Sequence, residues 1–398
     1  MKAGWKTKKL GDVCSLLNRG ISPIYLEKGG VRVLNQKCIR DHQVNYESSR
    51  RHDIKAKKVP EERFILLGDV LINSTGTGTL GRVAQVREEP DEPTTVDSHV
   101  TIVRPKPGMF HLDFFGFMLA TIEDGIKEAG EGCGGQTELA RSVLAERFSV
   151  RFPESLPEQK RIVGILDEAF AGIATAKANA EKNLRNARAL FESHLNEVFS
   201  RKGEGWVEKK ISEIAKCSLG KMLDKTKNKG EPQYYLRNLN VRWFNFDLSD
   251  LLQMRFLPSE EEKYTAQKGD VLVCEGGYPG RAATWNENFP IYFQKALHRV
   301  RFYEPEHNQW FVYFLYAKEA SGDLRQYFSG TGIQHFTGEA LARFILPLPP
   351  LADLRRAVVK FKALSEKVEN LESIYRRKLE SLEALKKSLL HDAFRGAL

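Results

Sequence analysis

Two long stretches of the chain place apolar residues in steps of three and four. Across 157–199 they fall at Ile162, Leu166, Phe170, Ile173, Ala176, Ala180, Leu184, Phe191, Leu195 and Val198. Across 353–394 they fall at Phe361, Leu364, Val368, Leu371, Tyr375, Leu379, Leu382, Leu385 and Leu389. This heptad-like spacing predicts two amphipathic helices, each with one apolar stripe. Pro157 suits the first helical turn, where a missing N–H costs nothing. Each stretch holds about 42 residues, enough for a helix of roughly 60 Å. Neither is apolar on all sides, so each needs a partner. The other stretch, packed antiparallel, is the simplest one; a coiled coil with an outside protein is the alternative. Leu190 and Ile374 lie off the stripes and hint at a further contact.

The remainder has another texture. Across 4–153 and 205–350, short β-branched and aromatic runs such as "RVLNQKCI", "DVLINS", "HVTIVRP", "DVLVCE" and "HRVRFY" are broken by Gly, Pro, Asn and Asp. That predicts mostly β domains with some helix. One helix is expected in "HLDFFGFMLATIEDGIKEA", with Phe114, Phe117 or Met118, and Ile122 on one face; "NQWFVYFLYAKEASGDLRQYF" occupies the same place downstream. The expected fold is α+β. A domain at 1–155 is followed by a helix at 156–202, a second domain at 203–350 and a second helix at 351–398. The two helices are expected to pair as an antiparallel coiled-coil spacer.

The halves are copies. "GWKTKKLGDVCSL" from Gly4 returns as "GWVEKKISEIAKCSL" from Gly205, and "GDVLINSTGTGTLGR" from Gly68 as "GDVLVCEGGYPGR" from Gly269, both at an offset of 201 residues. "VLNQKCIR" (33–40) matches "LRNLNVRW" (236–243), and "GCGGQT" (132–137) loosely matches "SGTGIQHF" (329–336). "FPESLPEQKRIV" (152–163) matches "LPLPPLADLRRAV" (346–358). Matches in one order mark a tandem duplication. A two-helix rod would relate the two domains by a pseudo-twofold axis, and two heads on a fixed spacer suit two half-sites on one DNA duplex.

The stretch "GTGTLG" (76–81) has the G-x-G-x-x-G spacing of a phosphate cradle, but such a loop must open a helix. The next residues, "RVAQVREEPDEP", read as a second strand and a polar loop. The second copy also lacks the glycine spacing and keeps only the turn and a Gly-Arg pair, Gly81-Arg82 and Gly280-Arg281. A glycine turn between strands is therefore expected, and a nucleotide-using enzyme is not.

Charge widens the picture. The 398 residues carry a net +9, with a pI near 9.1, which permits a polyanionic partner. Five cysteines, Cys14, Cys38, Cys133, Cys217 and Cys274, form no C-x-x-C, so reduced thiols in the cytoplasm are expected. The opening "MKAGWKTKKLGDV" has charge but no subsequent apolar run, so no signal peptide is expected, and no run suits a membrane span. The histidines form no H-E-x-x-H, and neither a Walker A motif nor an Asn/Asp-Pro-Pro-Tyr tetrapeptide occurs. No catalytic, cofactor-binding or metal-binding residue is assigned. Asp69 and Asp270, in matching G-D-V-L positions, are read as tight turns ahead of buried strands.

The junction "FPESLPEQKRIVGILDEAF", with Leu156-Pro157-Glu158-Gln159 and then Arg161-Ile162-Val163, resembles that of specificity (S) subunits of type I restriction-modification systems. "LNQKCIR" and "GDVLINSTGTGTLGR" are similar to the openings and central turns of their target-recognition domains. The second copy departs at the junction, where Glu-Gln becomes Asp353-Leu354. The resemblance implies a non-catalytic, cytoplasmic subunit that binds double-stranded DNA. Each recognition domain would read one half of a bipartite site. The helices would set the gap and dock methyltransferase (M) subunits, two of them, and restriction (R) subunits would join to cleave.

Polar residues at turns are the candidate DNA contacts, since Arg and Lys suit guanine edges, Asn and Gln suit adenine, and all can hold phosphates. In the first copy these are Asn35, Lys37, Asn73, Thr75, Thr77, Arg82, Gln136 and Thr137. In the second they are Asn238, Asn240, Arg242, Glu275, Tyr278, Arg281, Gln334 and His335. Shared positions such as Arg82 and Arg281 are expected to fix backbone or fold; the differing tips, "NSTGTGTL" and "CEGGYP", are expected to carry sequence choice. The rival expectation is a two-headed coiled-coil scaffold that binds proteins and not DNA.

Overall fold

The computed structural model describes residues 4–130, 138–224 and 226–398. Gln136 and Thr137 lie outside the described residues. The chain divides into two compact units, Met1–Ala180 with Arg377–Leu398, and Glu181–Arg376.

The first unit holds two four-stranded sheets. One is antiparallel throughout, in the order Cys14–Arg19, Val100–Pro105, Val70–Asn73, Val83–Gln85. The other runs Thr94–Val96, Val31–Leu34, Arg50–His52, Tyr25–Leu26, and its first pair is parallel. Strand Val70–Asn73 is buried at every position because both faces are covered. Side chains alternate across a strand, so Val70 and Ile72 join a core with the helices, while Leu71 joins a second core with Leu34, Val96 and Ile102. The helix expected over 111–129 is two, Leu112–Ala120 and Glu123–Gly130, and the first buries more than one stripe, Phe115 and Leu119 included.

The second unit repeats this plan. Ala215–Leu219, Leu297–Phe302, Val271–Cys274 and Ala282–Thr284 form the antiparallel sheet. Glu231–Leu236 and Ile291–Phe293 reproduce the parallel pair in the other. Here too Val271 and Val273 face the helical core, and Leu272 and Cys274 the second one. In each unit a two-stranded ribbon closes the domain onto a long helix: Trp5–Lys9 with Ser149–Pro153, and Val207–Lys210 with Ile345–Leu348.

The long helices are Leu156–Ser200 and Leu351–Arg395. In the first unit, the start of one packs on the end of the other. Arg161 donates to the Leu398 carbonyl (3.0 Å) and Lys177 pairs with Glu383 (2.6 Å), an antiparallel register. Phe394 packs on Phe114, with ring centroids 4.9 Å apart. In the second unit Arg188 pairs with Glu372, and Phe361 meets Phe199, Trp310 and Tyr313, again antiparallel. Two predicted stripe residues do not conform: Leu371 is 40% exposed and Leu385 47%. Leu390, Ala393 and Phe394 are buried instead. Leu190 and Ile374 are exposed, as their off-stripe positions predict.

Candidate nucleic-acid interface

Each unit ties three loops together at one end of its antiparallel sheet. In the first unit the central loop is the glycine turn between Val70–Asn73 and Val83–Gln85. Gly76, Gly78 and Gly81 all have positive φ, from 77° to 102°, which explains the glycines without a phosphate. The turn closes by Gly81 N–H donating to the Asn73 carbonyl (2.8 Å). In the second unit Gly280, at φ 84°, does the same to the Cys274 carbonyl (2.9 Å). Both turns lead into a strand, not a helix, so a nucleotide cradle is excluded by geometry.

The root of this turn is the G-D-V-L aspartate. Asp69 accepts the Leu66 N–H (2.8 Å) and pairs with Arg104 (2.7 Å); Asp270 accepts the Gln267 N–H (2.7 Å) and pairs with Arg301 (2.6 Å). Burial pushes the Asp69 carboxyl up, against the opposing pull of Arg104 and the Leu66 N–H. Both aspartates are thus turn residues, as expected, with an arginine partner that the sequence did not disclose. Among the described residues no cluster of His, Cys, Asp or Glu suits a metal ion.

The second loop docks on the first through Gln36, a residue absent from the expected contacts. Gln36 donates from Nε2 to Thr75 Oγ1 (3.0 Å), accepts from Thr79 Oγ1 (2.9 Å), and its carbonyl accepts from Asn73 Nδ2 (3.1 Å). In the fold it stands opposite Asn238, an expected contact, because the strands before them end alike: Asp97 N–H donates to the Leu34 carbonyl (2.9 Å) and Gln294 N–H to the Leu236 carbonyl (3.0 Å). The sequence match of 33–40 with 236–243 is one residue out of this register and sets Gln36 against Leu239. Asn238 donates to the Gly276 carbonyl (3.0 Å), and its own carbonyl accepts from Arg281 (2.9 Å). The third loop joins by backbone bonds at equivalent places: Leu139 N–H to the Ser74 carbonyl (2.8 Å), and Phe336 N–H to the Glu275 carbonyl (2.7 Å). Buried His298 backs this contact, its Nε2 3.0 Å from the Phe336 carbonyl, and burial pulls its pKa down.

The expected contact residues divide by where their side chains go. Asn73 and Asn240 are buried, the latter donating to the Asp247 and Asp250 carbonyls, so neither side chain reaches outward. Asn35 caps its own turn by accepting the Lys37 N–H (2.8 Å) and donating to the Ser48 carbonyl. Thr75 is held by Gln36 and by His99 Nδ1 (2.7 Å). Arg82 donates to the Gly78 carbonyl (3.0 Å), and Arg281 stacks over the Tyr278 ring at 3.8 Å, so both shared arginines brace their own loops. Arg242, though exposed, is bonded to the Leu239 carbonyl and to Asp247. Glu275 is half-buried at the root of the tip. Lys37, Thr77, Tyr278, Gln334 and His335 are exposed at the loop ends. Cys274, buried beneath them, has its thiol pushed up to about 12 by burial despite nearby Arg281, and its Sγ faces the Asn238 carbonyl (3.7 Å).

A family model described as the type I restriction modification DNA specificity domain matches the chain twice, over residues 2–184 and 203–383. The chain belongs to this specificity-domain family. Its fold is similar to a chain in a structure described as the basis of complex assembly and conformational transition of the type I R-M system (TM-score 0.82, 17% identity, 100% of this chain and 99% of that one). It is also similar to the HsdS subunit from Thermoanaerobacter tengcongensis (TM-score 0.59, 19% identity, 100% and 98% covered).

The junction residues of this type I specificity protein can be assigned roles. Gln159 is fully buried where the ribbon meets the helix. Its Oε1 accepts the His111 N–H (2.8 Å), and its Nε2 donates to the carbonyls of Pro153 (2.8 Å) and Met109 (3.3 Å). Leu354, its counterpart, is equally buried and its side chain has no polar group to make such bonds. Trp310 supplies a donor there instead, from Nε1 to the Pro347 carbonyl (2.7 Å). The carboxylate persists: Glu158 pairs with Arg161 and Asp353 with Arg356, each three residues on.

Proposed function

We propose that each unit reads one half of a bipartite double-stranded DNA site. The recognition domains are the segments 1–155 and 203–350, and the long helices at 156–202 and 351–398 set the gap and dock two methyltransferase subunits. The chain supplies no catalysis; methylation and cleavage reside in partner M and R subunits, in the cytoplasm. One observation carries this reading: both copies brace the same three-loop tip with equivalent bonds, yet place different side chains at its end. Shared bracing with divergent ends is what two readers of different half-sites require. The basic net charge agrees.

Within this reading Lys37, Thr77, Tyr278, Gln334 and His335 face DNA, while Asn35, Asn73, Asn240, Arg82 and Arg281 position the loops. The test is duplex binding by the full chain co-purified with methyltransferase subunits, across a salt series. Affinity should fall steeply with salt, and Lys37→Ala should reduce the log–log slope by about one for every sequence. Salt-independent or absent DNA binding would favour the protein-binding scaffold.

A further inference from the structure

The two tips differ in chemical character at matched positions. Lys37 in the first unit corresponds to Leu239 in the second, because the preceding residues, Gln36 and Asn238, offer their carbonyls to the same neighbouring turn. Thr77 corresponds to Tyr278 at the repeat offset. Where the first tip ends in an ammonium and a small hydroxyl side chain, the second ends in an aliphatic side chain and an aromatic ring, Leu239 at 52% exposure and Tyr278 at 53%. The third loop adds Ile333, 74% exposed and the most exposed large hydrophobic residue among those described.

These three side chains stand on loops already tied together. Asn238, next to Leu239, bonds the Gly276 carbonyl, and Arg281 under the Tyr278 ring bonds the Asn238 carbonyl. Ser329 and His335 exchange both backbone bonds (2.8 and 2.9 Å), so Ile333 sits on a closed hairpin tip. A Cβ on Gly276 would lie 3.1 Å from His335 Nδ1, which sets that hairpin against the central loop. The loops that carry these three side chains are therefore joined at their bases, and Ile333 precedes the exposed Gln334 and His335 of the candidate interface.

The aliphatic Leu239 and Ile333 gain nothing from phosphates or from the polar edges of bases. The apolar group that a base pair displays in the major groove is the thymine C5-methyl. Resting on the reading of this tip as a DNA reader, we propose that the second unit recognises its half-site by apolar contact with thymine methyls, with Ile333 as a specificity-determining residue flanked by Leu239 and Tyr278. Among the described residues, the matched positions of the first unit, Lys37 and Thr77, are polar, with only the Thr77 methyl to offer a thymine.

Replacing thymine by deoxyuridine removes the methyl and leaves base pairing intact, which gives a direct test. The half-site read by the second unit is identified by exchanging residues 203–350 with those of a protein of different specificity. Duplex binding by the assembled complex is then measured with uracil in that half only, in the other half only, and with a scrambled duplex. Uracil in the second unit's half should weaken binding about three- to fourfold per contacted methyl, and uracil in the other half should weaken it less. Ile333→Ser should bind thymine and uracil duplexes alike. A half-site without thymine, equal uracil effects in both halves, or an Ile333→Ser variant that still discriminates would overturn the proposal while specific binding persists. Ile333 acting as a wedge between base pairs would show itself as loss of affinity in Ile333→Ser with no uracil effect, which also overturns it. No preference for the site over the scrambled duplex would instead remove the DNA-reading premise, and the proposal with it.

Discussion

At the scale of the residue, position in a motif foretells importance better than it foretells role. The Leu-Pro-Glu-Gln junction stands out in the sequence, but Gln159 acts as a clamp of backbone groups from Met109, His111 and Pro153. Replacing it by leucine, the residue its counterpart carries, leaves the His111 N–H and the Pro153 carbonyl without these bonds. Gln159→Leu should therefore destabilise the first unit by about 2 kcal/mol, read as a lower urea midpoint. Unchanged stability would mean that those groups find other partners. Asn73 and Asn240 teach the same lesson from the other side. Amide side chains at turns suit adenine edges, and they suit turn carbonyls equally well. Only the fold decides which they meet. The Asp69 turn was legible because its bonds are local; Arg104 was not, being 35 residues away and selected by strand register.

At the scale of the element, periodicity predicted both long helices, observed as Leu156–Ser200 and Leu351–Arg395, because a stripe with period near 3.6 needs no knowledge of what it packs against. Which stripe residues are buried does depend on the partner. Phe361 is enclosed by Phe199, Trp310 and Tyr313, whereas Leu371, ten residues on with the same periodic claim, faces solvent. Phe361→Ala should cost about 3–5 kcal/mol, and Leu371→Ala should stay within about 0.5 kcal/mol, both read by urea unfolding. Similar losses for the two would contradict the burial assigned to this helix. The helix over 111–129 was legible as apolar and helical, but its division at Thr121 was not, since no proline marks the break.

At the scale of the molecule, the duplication was the most legible feature. Two copies with their matches in the same order predicted two similar domains and dissolved the apparent nucleotide loop, because a phosphate cradle would need its glycine spacing in both. The composition of each unit was harder to foresee. The partner of Lys177 is Glu383, 206 residues away, so each unit takes a part of both long helices. The shared bracing and divergent ends of the two tips then give the central claim, that each copy reads its own half of a DNA site. The most direct test is a genome-wide map of adenine methylation in source cells with and without this gene, and with residues 203–350 exchanged for those of a protein of different specificity. One split motif, two specified halves around a fixed gap, should lose methylation on deletion, and the exchange should alter one half and leave the other and the gap intact. A map unchanged by deletion in cells whose methyltransferase subunits are active, or an exchange that alters both halves, would contradict the claim.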